Sequence, residues 1–256
     1  MHLPPDPHPP TSPPPVPLPA QSFAPWGPLQ GCKICGITDA AEGAAIAQLG
    51  ATALGFICVA ASPRYVEPER LATLNATLNR AIAPDPATRA VARIGVFANA
   101  PCATVLAVAQ RAQLTGVQLH GDESPEDCAW LRAQAPQLTV WKALRVRSPA
   151  TLELAATYAG AIDAVLLDAY RPGVLGGTGA ALSWPDLVQF RPPMPWILAG
   201  GLNPENVLQA LAALADNPPW GIDLSSGVER SPGRKDLDAV NRLFQQLAHL
   251  KPGHPA

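Results

Sequence analysis

From residue 32 onward the chain alternates short apolar, often β-branched runs with longer Ala/Leu-rich stretches of helical spacing. This pattern predicts strands over 32–37, 53–59, 92–98, 116–119, 138–144, 163–167, 196–199 and 221–224, eight in all, each followed by a helix-like segment. Ala164-Val165-Leu166-Leu167 and Trp196-Ile197-Leu198-Ala199 are apolar without alternation, as strands covered on both faces are. Helix starts carry their own signals: Thr38 or Asp39 for the first, Ser124-Pro125 for the fourth, Ser148-Pro149 for the fifth and Asn203-Pro204 for the seventh. Eight consecutive βα units in a chain of this length predict an α/β fold, a single-domain (β/α)8 TIM barrel over residues 30–250. A doubly wound open sheet is the alternative, but it uses fewer units and a Gly-rich first turn, which Gly36-Ile37-Thr38 is not.

Residues 1–29 break the pattern. They are dominated by proline, from Pro4-Pro5 to Pro28, and such a segment lacks both amide donors and apolar bulk, which predicts a disordered Pro-rich N-terminal tail. It has neither the basic start nor the unbroken apolar core of a secretory signal. A passive extension, a misassigned start codon and a docking role for its Pro-rich motifs all remain open.

Composition narrows the class. The 256 residues carry net charge −2, with 48% hydrophobic and only 15% charged positions, which argues against general affinity for nucleic acid or an anionic membrane surface. No apolar run approaches the roughly 20 residues of a membrane span. Five scattered cysteines make no disulfide framework, so a reducing cytoplasm is the expected location.

The chemistry is expected at the carboxyl ends of the strands. The first strand places Lys33 and Cys35 on one face and Cys32, Ile34 and Gly36 on the other. An ammonium two residues from a thiol on the same face favours the thiolate, the form that acts as base or nucleophile. A buried structural cysteine is the competing reading. A Cys32–Cys35 redox or zinc half-site is disfavoured, because positions three apart on a strand lie roughly 10 Å apart on opposite faces, beyond the ~7 Å a disulfide spans. Further along, Arg64, Asn99, Gln118 to Glu123, Lys142 and Asp168 follow or end strands. Gly200-Gly201 and Ser225-Ser226-Gly227 follow the seventh and eighth strands, where barrels bind phosphate through backbone N–H groups, and Gly177-Thr178-Gly179 after the sixth can add amides to the same anion. One glycine pair alone is a tight turn; three at adjacent strand ends favour a phosphate. Asp168 ends an apolar strand, where desolvation is expected to raise its pKa and let it hold a proton, although a helix cap or a structural ion pair would use the same spacing. His120 and Arg64 are mouth residues on the same logic, and each could equally be satisfied locally.

Together the stretches KICGIT (33–38), GFICVAASPRYV (55–66), GVFAN (95–99), VQLHGDE (117–123), LLD (166–168), GGTG (176–179), LAGGLNPENV (198–207), DLSSGVE (223–229) and PGRKD (232–236) resemble the phosphoribosylanthranilate isomerase family, in its order. The resemblance implies a metal-free, cofactor-free Amadori rearrangement of N-(5-phosphoribosyl)anthranilate, the third step from anthranilate toward tryptophan. By motif position it implies Cys35 as general base, Asp168 as general acid and Arg64 as the clamp on the anthranilate carboxylate. Gln118, His120 and Asp223 would line the site, and Gly177, Thr178, Gly179, Gly200, Gly201, Ser225, Ser226 and Gly227 would hold the phosphate. The partner implied is a small phosphorylated molecule, and the chain is expected to be a monomer or a homodimer. Three features depart from the family pattern: Leu182-Ser183-Trp184 stands where Phe-Asp-Trp is usual, Cys58 replaces a frequent aromatic, and the tail has no counterpart. Two other functions stay in view. A broader isomerase that also serves histidine synthesis is expected to carry a carboxylate at the place of Cys35, and a non-catalytic phosphosugar-binding barrel has no need of Cys35, Arg64 and Asp168 together.

Overall fold

Eight parallel strands close into a barrel in chain order: β1 (Gly31–Cys35), β2 (Ala53–Ile57), β3 (Ala92–Phe97), β4 (Gly116–Leu119), β5 (Thr139–Arg145), β6 (Ala164–Asp168), β7 (Trp196–Ala199) and β8 (Gly221–Leu224). The computed structural model describes residues 29–82, 91–146, 148–168 and 184–250. The expected barrel is therefore the observed fold. It is sealed where β1 pairs with β8, from Gly31 opposite Gly221 to Ile34 opposite Leu224.

Strand parity builds two cores. Inward residues Ala53, Ile94, Trp141, Ala143, Ala164, Leu166, Ile197 and Ala199 form one buried cluster. Outward residues such as Ile34, Leu54, Phe56, Val117, Val165 and Leu198 belong to a second cluster, with Ile46, Leu71, Val105, Leu131, Val207 and Leu243 from the surrounding helices. Those helices are α1 (Ala40–Leu49), α2 (Pro68–Ile82), α3 (Cys102–Arg111), α4 (Pro125–Gln134), α5 (Pro149–Glu153), α6 (Val207–Ala213) and α7 (Leu237–Ala248). A strand covered on both faces has no polar side to alternate with, which is why β6 and β7 read as continuous apolar runs.

The boundaries differ in physically simple ways. β1 stops at Cys35 rather than 37, because Gly36 turns the chain at φ +84° and the N–H groups of Gly36 and Ile37 both donate to the Gly55 carbonyl at 2.9 Å. Asp39, not Thr38, caps α1, its carboxylate accepting from the Ala41 and Glu42 amides. Ser124 caps α4 in a reciprocal pair with Asp127, whereas Ser148 precedes Pro149 without a side-chain cap bond. Asn203 caps the turn that leads into the seventh barrel helix, and the Val207 N–H donates to its carbonyl at 3.1 Å. It exchanges backbone-to-side-chain bonds with Asn206 at 2.9 and 3.0 Å, and α6 begins at Val207.

After β6 the described residues resume in a 3-10 helix, Trp184–Leu187. After β8 a 3-10 turn, Ser226–Val228, leads into a small hairpin of β9 (Glu229–Ser231) and β10 (Arg234–Lys235). Leu29, the first described residue and one residue inside the segment expected to be tail, is 1% exposed, and the N–H of Gln30 donates to the Trp220 carbonyl at 2.8 Å. The remainder of that segment, 1–28, lies outside the described residues.

A chain started at Leu29 is expected to melt with the full-length protein, while Leu29→Ala in the full chain is expected to cost about 2–5 kcal/mol, the range for truncating a buried leucine. Denaturant unfolding of the three proteins checks this. A large loss in the shortened chain, or none in Leu29→Ala, would contradict it.

Candidate active site

The carboxyl ends of the strands surround a cavity of about 470 Å³. Cys35 closes β1 and Asp168 closes β6, so thiol and carboxylate reach the same cavity from strands that are not neighbours in the barrel. Arg64 enters from the loop after β2, Gln118 and His120 from β4 and its end, and Asp223 from β8. Gly200, Gly201, Ser225, Ser226 and Gly227 supply the turns on one side. The structure thus brings together every expected site residue that it describes; Gly177, Thr178 and Gly179 lie outside the described residues. A second cavity, about 210 Å³, opens at the opposite end among Gly31, Thr52, Trp141 and Trp220, but no carboxylate lines it.

Close packing shapes the thiol's surroundings. Gly55 stands opposite Cys35 on β2, where a Cβ would sit 2.7 Å from Cys35 Sγ and 2.9 Å from Lys33 Cε, so the thiol and the lysine need a glycine there. At Gly227 a Cβ would collide with the Leu202 carbonyl, so the turn after β8 packs directly against the turn after β7.

The electrostatics around Cys35 correct one expectation. Lys33 does face the thiol, but its Nζ donates to Asp223 Oδ1 at 2.9 Å, with the two side chains 1% and 10% exposed. Burial works against the Lys33 ammonium, yet Asp223 and Cys35 together hold its pKa above the ordinary value. For Cys35, burial is the strongest influence and raises the pKa; Lys33 and then Lys235 pull it down, while Asp223 adds to the rise. The thiol ends above its ordinary value: Lys33 pulls toward the thiolate, but burial, with Asp223 adding to it, outweighs that pull.

His120 is neutral at neutral pH. Burial, with Arg145, Lys33 and Lys142 nearby, pushes its pKa from 6.5 down to about 4. Its Nδ1 faces Gln118 Nε2 at 3.3 Å, and its buried Nε2 lies 3.8 Å from Asp168 Oδ2, too long for a hydrogen bond. Gln118 Oε1 is likewise buried without a bond to any described group. Two buried polar atoms on the wall of one cavity are groups a polar ligand can satisfy.

Three neighbours were not singled out as site residues from sequence. Ser62 lines the cavity and accepts from the Arg64 amide at 3.1 Å, while Glu229 and Lys235 sit behind Arg64. Glu229 and Lys235 lie inside motif stretches quoted above, yet nothing in their spacing shows that a hairpin folds them back onto Arg64. Lys142, expected at the mouth, instead lies behind it: its Nζ donates to Glu123 Oε2 at 3.0 Å and to the Leu119 and Gly121 carbonyls. Among the described residues no group of His, Cys, Asp and Glu is arranged to hold a metal ion. No described helix is long and apolar enough to cross a membrane.

A closed eight-stranded barrel with an acid, a thiol and glycine-rich turns around one mouth defines a (β/α)8-barrel enzyme site. The family model of N-(5'phosphoribosyl)anthranilate (PRA) isomerase matches residues 32–246, and the chain belongs to that family. A relative from Trichormus variabilis, named N-(5'-phosphoribosyl)anthranilate isomerase, is 54% identical over 215 residues, covering 84% of this chain and 97% of its own. Another of that name from Gloeothece citriformis is 50% identical over 219 residues, covering 86% and 94%. Among solved structures, the phosphoribosyl anthranilate isomerase of Thermotoga maritima aligns with TM-score 0.71 at 34% identity, over 86% of this chain and 98% of that one. A phosphoribosyl anthranilate isomerase in complex with reduced 1-(o-carboxyphenylamino)-1-deoxyribulose 5-phosphate aligns with TM-score 0.69 at 33% identity, over the same shares.

The depressed pKa of His120 has a thermodynamic consequence. Between pH 6.5 and about 4 the unfolded chain takes up a proton at this position that the folded chain refuses, so stability falls as pH drops through that window. Melting curves across it are expected to slope less steeply with pH in His120→Asn than in the parent. Equal slopes would contradict a buried neutral imidazole.

Proposed function

We propose that the chain catalyses the Amadori rearrangement of N-(5-phosphoribosyl)anthranilate to 1-(2-carboxyphenylamino)-1-deoxyribulose 5-phosphate, a step of tryptophan biosynthesis, with Asp168 as general acid and Cys35 as general base. Membership of the isomerase family supports the reaction. The observation that carries the assignment of roles is that Cys35 and Asp168, on non-adjacent strands, line a single cavity together with Arg64 and the turns after β7 and β8.

Asp168 gives its proton to the ribose ring oxygen. The bond from that oxygen to C1 breaks, and the anilino nitrogen lone pair forms the C1=N iminium. That iminium acidifies the C2 hydrogen, which the Cys35 thiolate removes. The C2–H electron pair becomes the C1=C2 bond, and the iminium π pair returns to nitrogen as an enolamine, which ketonises at C2. Atoms and electrons balance within substrate and protein, so the step consumes no redox partner. The turns at Gly200–Gly201 and Ser225–Gly227, with Gly177, Thr178 and Gly179, hold the phosphate through backbone amides. Arg64 meets the anthranilate carboxylate as a charge-assisted donor, and Gln118, His120 and Asp223 line the sugar. His120, being neutral, can donate or accept without adding charge. Because burial raises the Cys35 pKa, the base is strong once ionised and scarce at neutral pH, so kcat/KM is expected to climb with pH above neutrality.

Cys35→Ser and Asp168→Asn are each expected to keep the parent melting temperature, since both changes are nearly isosteric and lie at strand ends. Each is expected to lower kcat by at least the roughly 10²-fold associated with losing a positioned acid or base. Product affinity should change far less, because the phosphate turns and Arg64 remain. A folded variant within a few-fold of the parent would remove that residue from its role.

A further inference from the structure

The hairpin after β8 has a use that the reaction above does not require of it. Glu229 opens β9 and Lys235 closes β10, and the turn between them folds both side chains back toward Arg64. The Glu229 side chain is 4% exposed and serves two cations. Lys235 Nζ donates to Oε1 at 2.8 Å, Arg64 Nε to the same oxygen at 2.9 Å, and Arg64 Nη2 to Oε2 at 2.6 Å. The Gly233 amide adds a bond to Oε1 at 3.2 Å. Arg64 and Lys235 together outweigh the cost of burial and hold the Glu229 carboxyl below its ordinary pKa. A two-point clamp of this kind fixes the plane of the guanidinium. It leaves Arg64 Nη1 without a bond to any described residue, on a side chain that lines the cavity.

The charges do not cancel. Two cations share one carboxylate; nearby Glu42 is bonded to Arg234 and to the Lys235 backbone N–H, and Asp223 belongs to Lys33. Lys235 is completely buried and also donates to the Ser225 carbonyl at 3.2 Å, while the Ser225 hydroxyl donates to the Cys35 carbonyl at 3.1 Å. A buried surplus charge is costly unless an anion answers it. Two candidates exist at this mouth: the substrate carboxylate and the Cys35 thiolate.

We propose that Glu229 and Lys235 are positioning residues for the isomerisation: Glu229 aims Arg64 at the substrate carboxylate, and the Lys235 ammonium supplies the surplus positive charge that lets Cys35 work as a thiolate. This rests on the roles given to Arg64 and Cys35 above. The charged and titratable groups around Cys35 are Lys33 on its own strand, Asp223 on β8, Arg64 on the loop after β2, Cys58 just beyond β2 and Lys235 on the hairpin. Lys33 pulls hardest on the thiol and is paired with Asp223, while Lys235, which shares Glu229 with Arg64, adds a further pull from the hairpin.

Steady-state kinetics over a pH series, with N-(5-phosphoribosyl)anthranilate generated in situ, tests this. Glu229→Gln is expected to raise KM about ten-fold or more, the scale of losing a charge-assisted anchor, with a smaller change in kcat. Lys235→Met is expected to move the acid limb of the kcat/KM profile upward by about one pH unit, the low end of the effect of an adjacent opposite charge. Its deficit is then widest near neutrality and narrows at alkaline pH, and Lys235→Arg recovers most of it. Should Glu229→Gln fail to fold, Glu229→Asp, which keeps the charge and shortens the reach, carries the same KM test. Folded variants with the parent KM and limb, or activity that merely tracks the folded fraction at every pH, would overturn the proposal. A parent protein that does not convert the substrate would instead overturn the function proposed above.

Discussion

The rest of the barrel is arranged around an ion pair inside it. Lys33 on β1 and Asp223 on β8 meet at 2.9 Å across the seam where the sheet closes on itself, opposite each other in the strand register. Two buried charges are tolerable only while they stay paired, and removing one partner of such a pair typically costs about 3–5 kcal/mol. The pair thus acts as a register lock: slipping β1 by one residue against β8 would swing Lys33 to the outer face and leave Asp223 alone. The same lock sets the electrical environment of the mouth. Cys35 lies one step above it, and Lys33 and Asp223 push its ionisation in opposite directions, with burial deciding the net upward shift and Lys235 adding a smaller downward pull.

A second buried pair does related work behind the mouth. Lys142 on β5 binds Glu123, whose two oxygens accept from the backbone N–H groups of Asn99 and Gly121. The loops after β3 and β4 are thereby tied to one carboxylate, with His120 held between strand and knot. Glycines supply the opposite service, since Gly55 makes room for the thiol and Gly227 lets two loops touch. Charged residues therefore fix the loops, and missing side chains provide the space. Neither contributes to the apolar core that holds the helices on.

This division explains what could be read from the chain beforehand. The eight strands were legible because burial on both faces leaves a continuous apolar run, and the motif residues were legible because they end those runs. Strand parity placed Lys33 beside Cys35, yet could not reveal that Asp223, 190 positions away, would claim the ammonium. The ammonium does favour the thiolate, but burial, which parity does not show, with Asp223 adding to it, leaves the thiol above its ordinary value. Asn203-Pro204 marked a capped turn with Asn206, and what the pair could not show is that regular helix begins only at Val207. Glu229 and Lys235 were invisible as site residues because only the hairpin brings them to Arg64, and a short irregular hairpin leaves no periodic trace.

The central claim, that burial and the Lys33–Asp223 pair rather than Lys33 alone govern the mouth thiol, can be measured as the ionisation of Cys35. The thiolate ultraviolet absorbance of the parent minus that of Cys35→Ser, followed against pH, isolates this one group. Cys32, Cys58, Cys102 and Cys128 are themselves pushed up by burial and subtract out. The account predicts a midpoint above the ordinary thiol value of 9.0, and a lower midpoint when Asp223→Asn frees the field of Lys33. A parent midpoint well below 9.0, or one that does not move when Asp223 is neutralised, would contradict it.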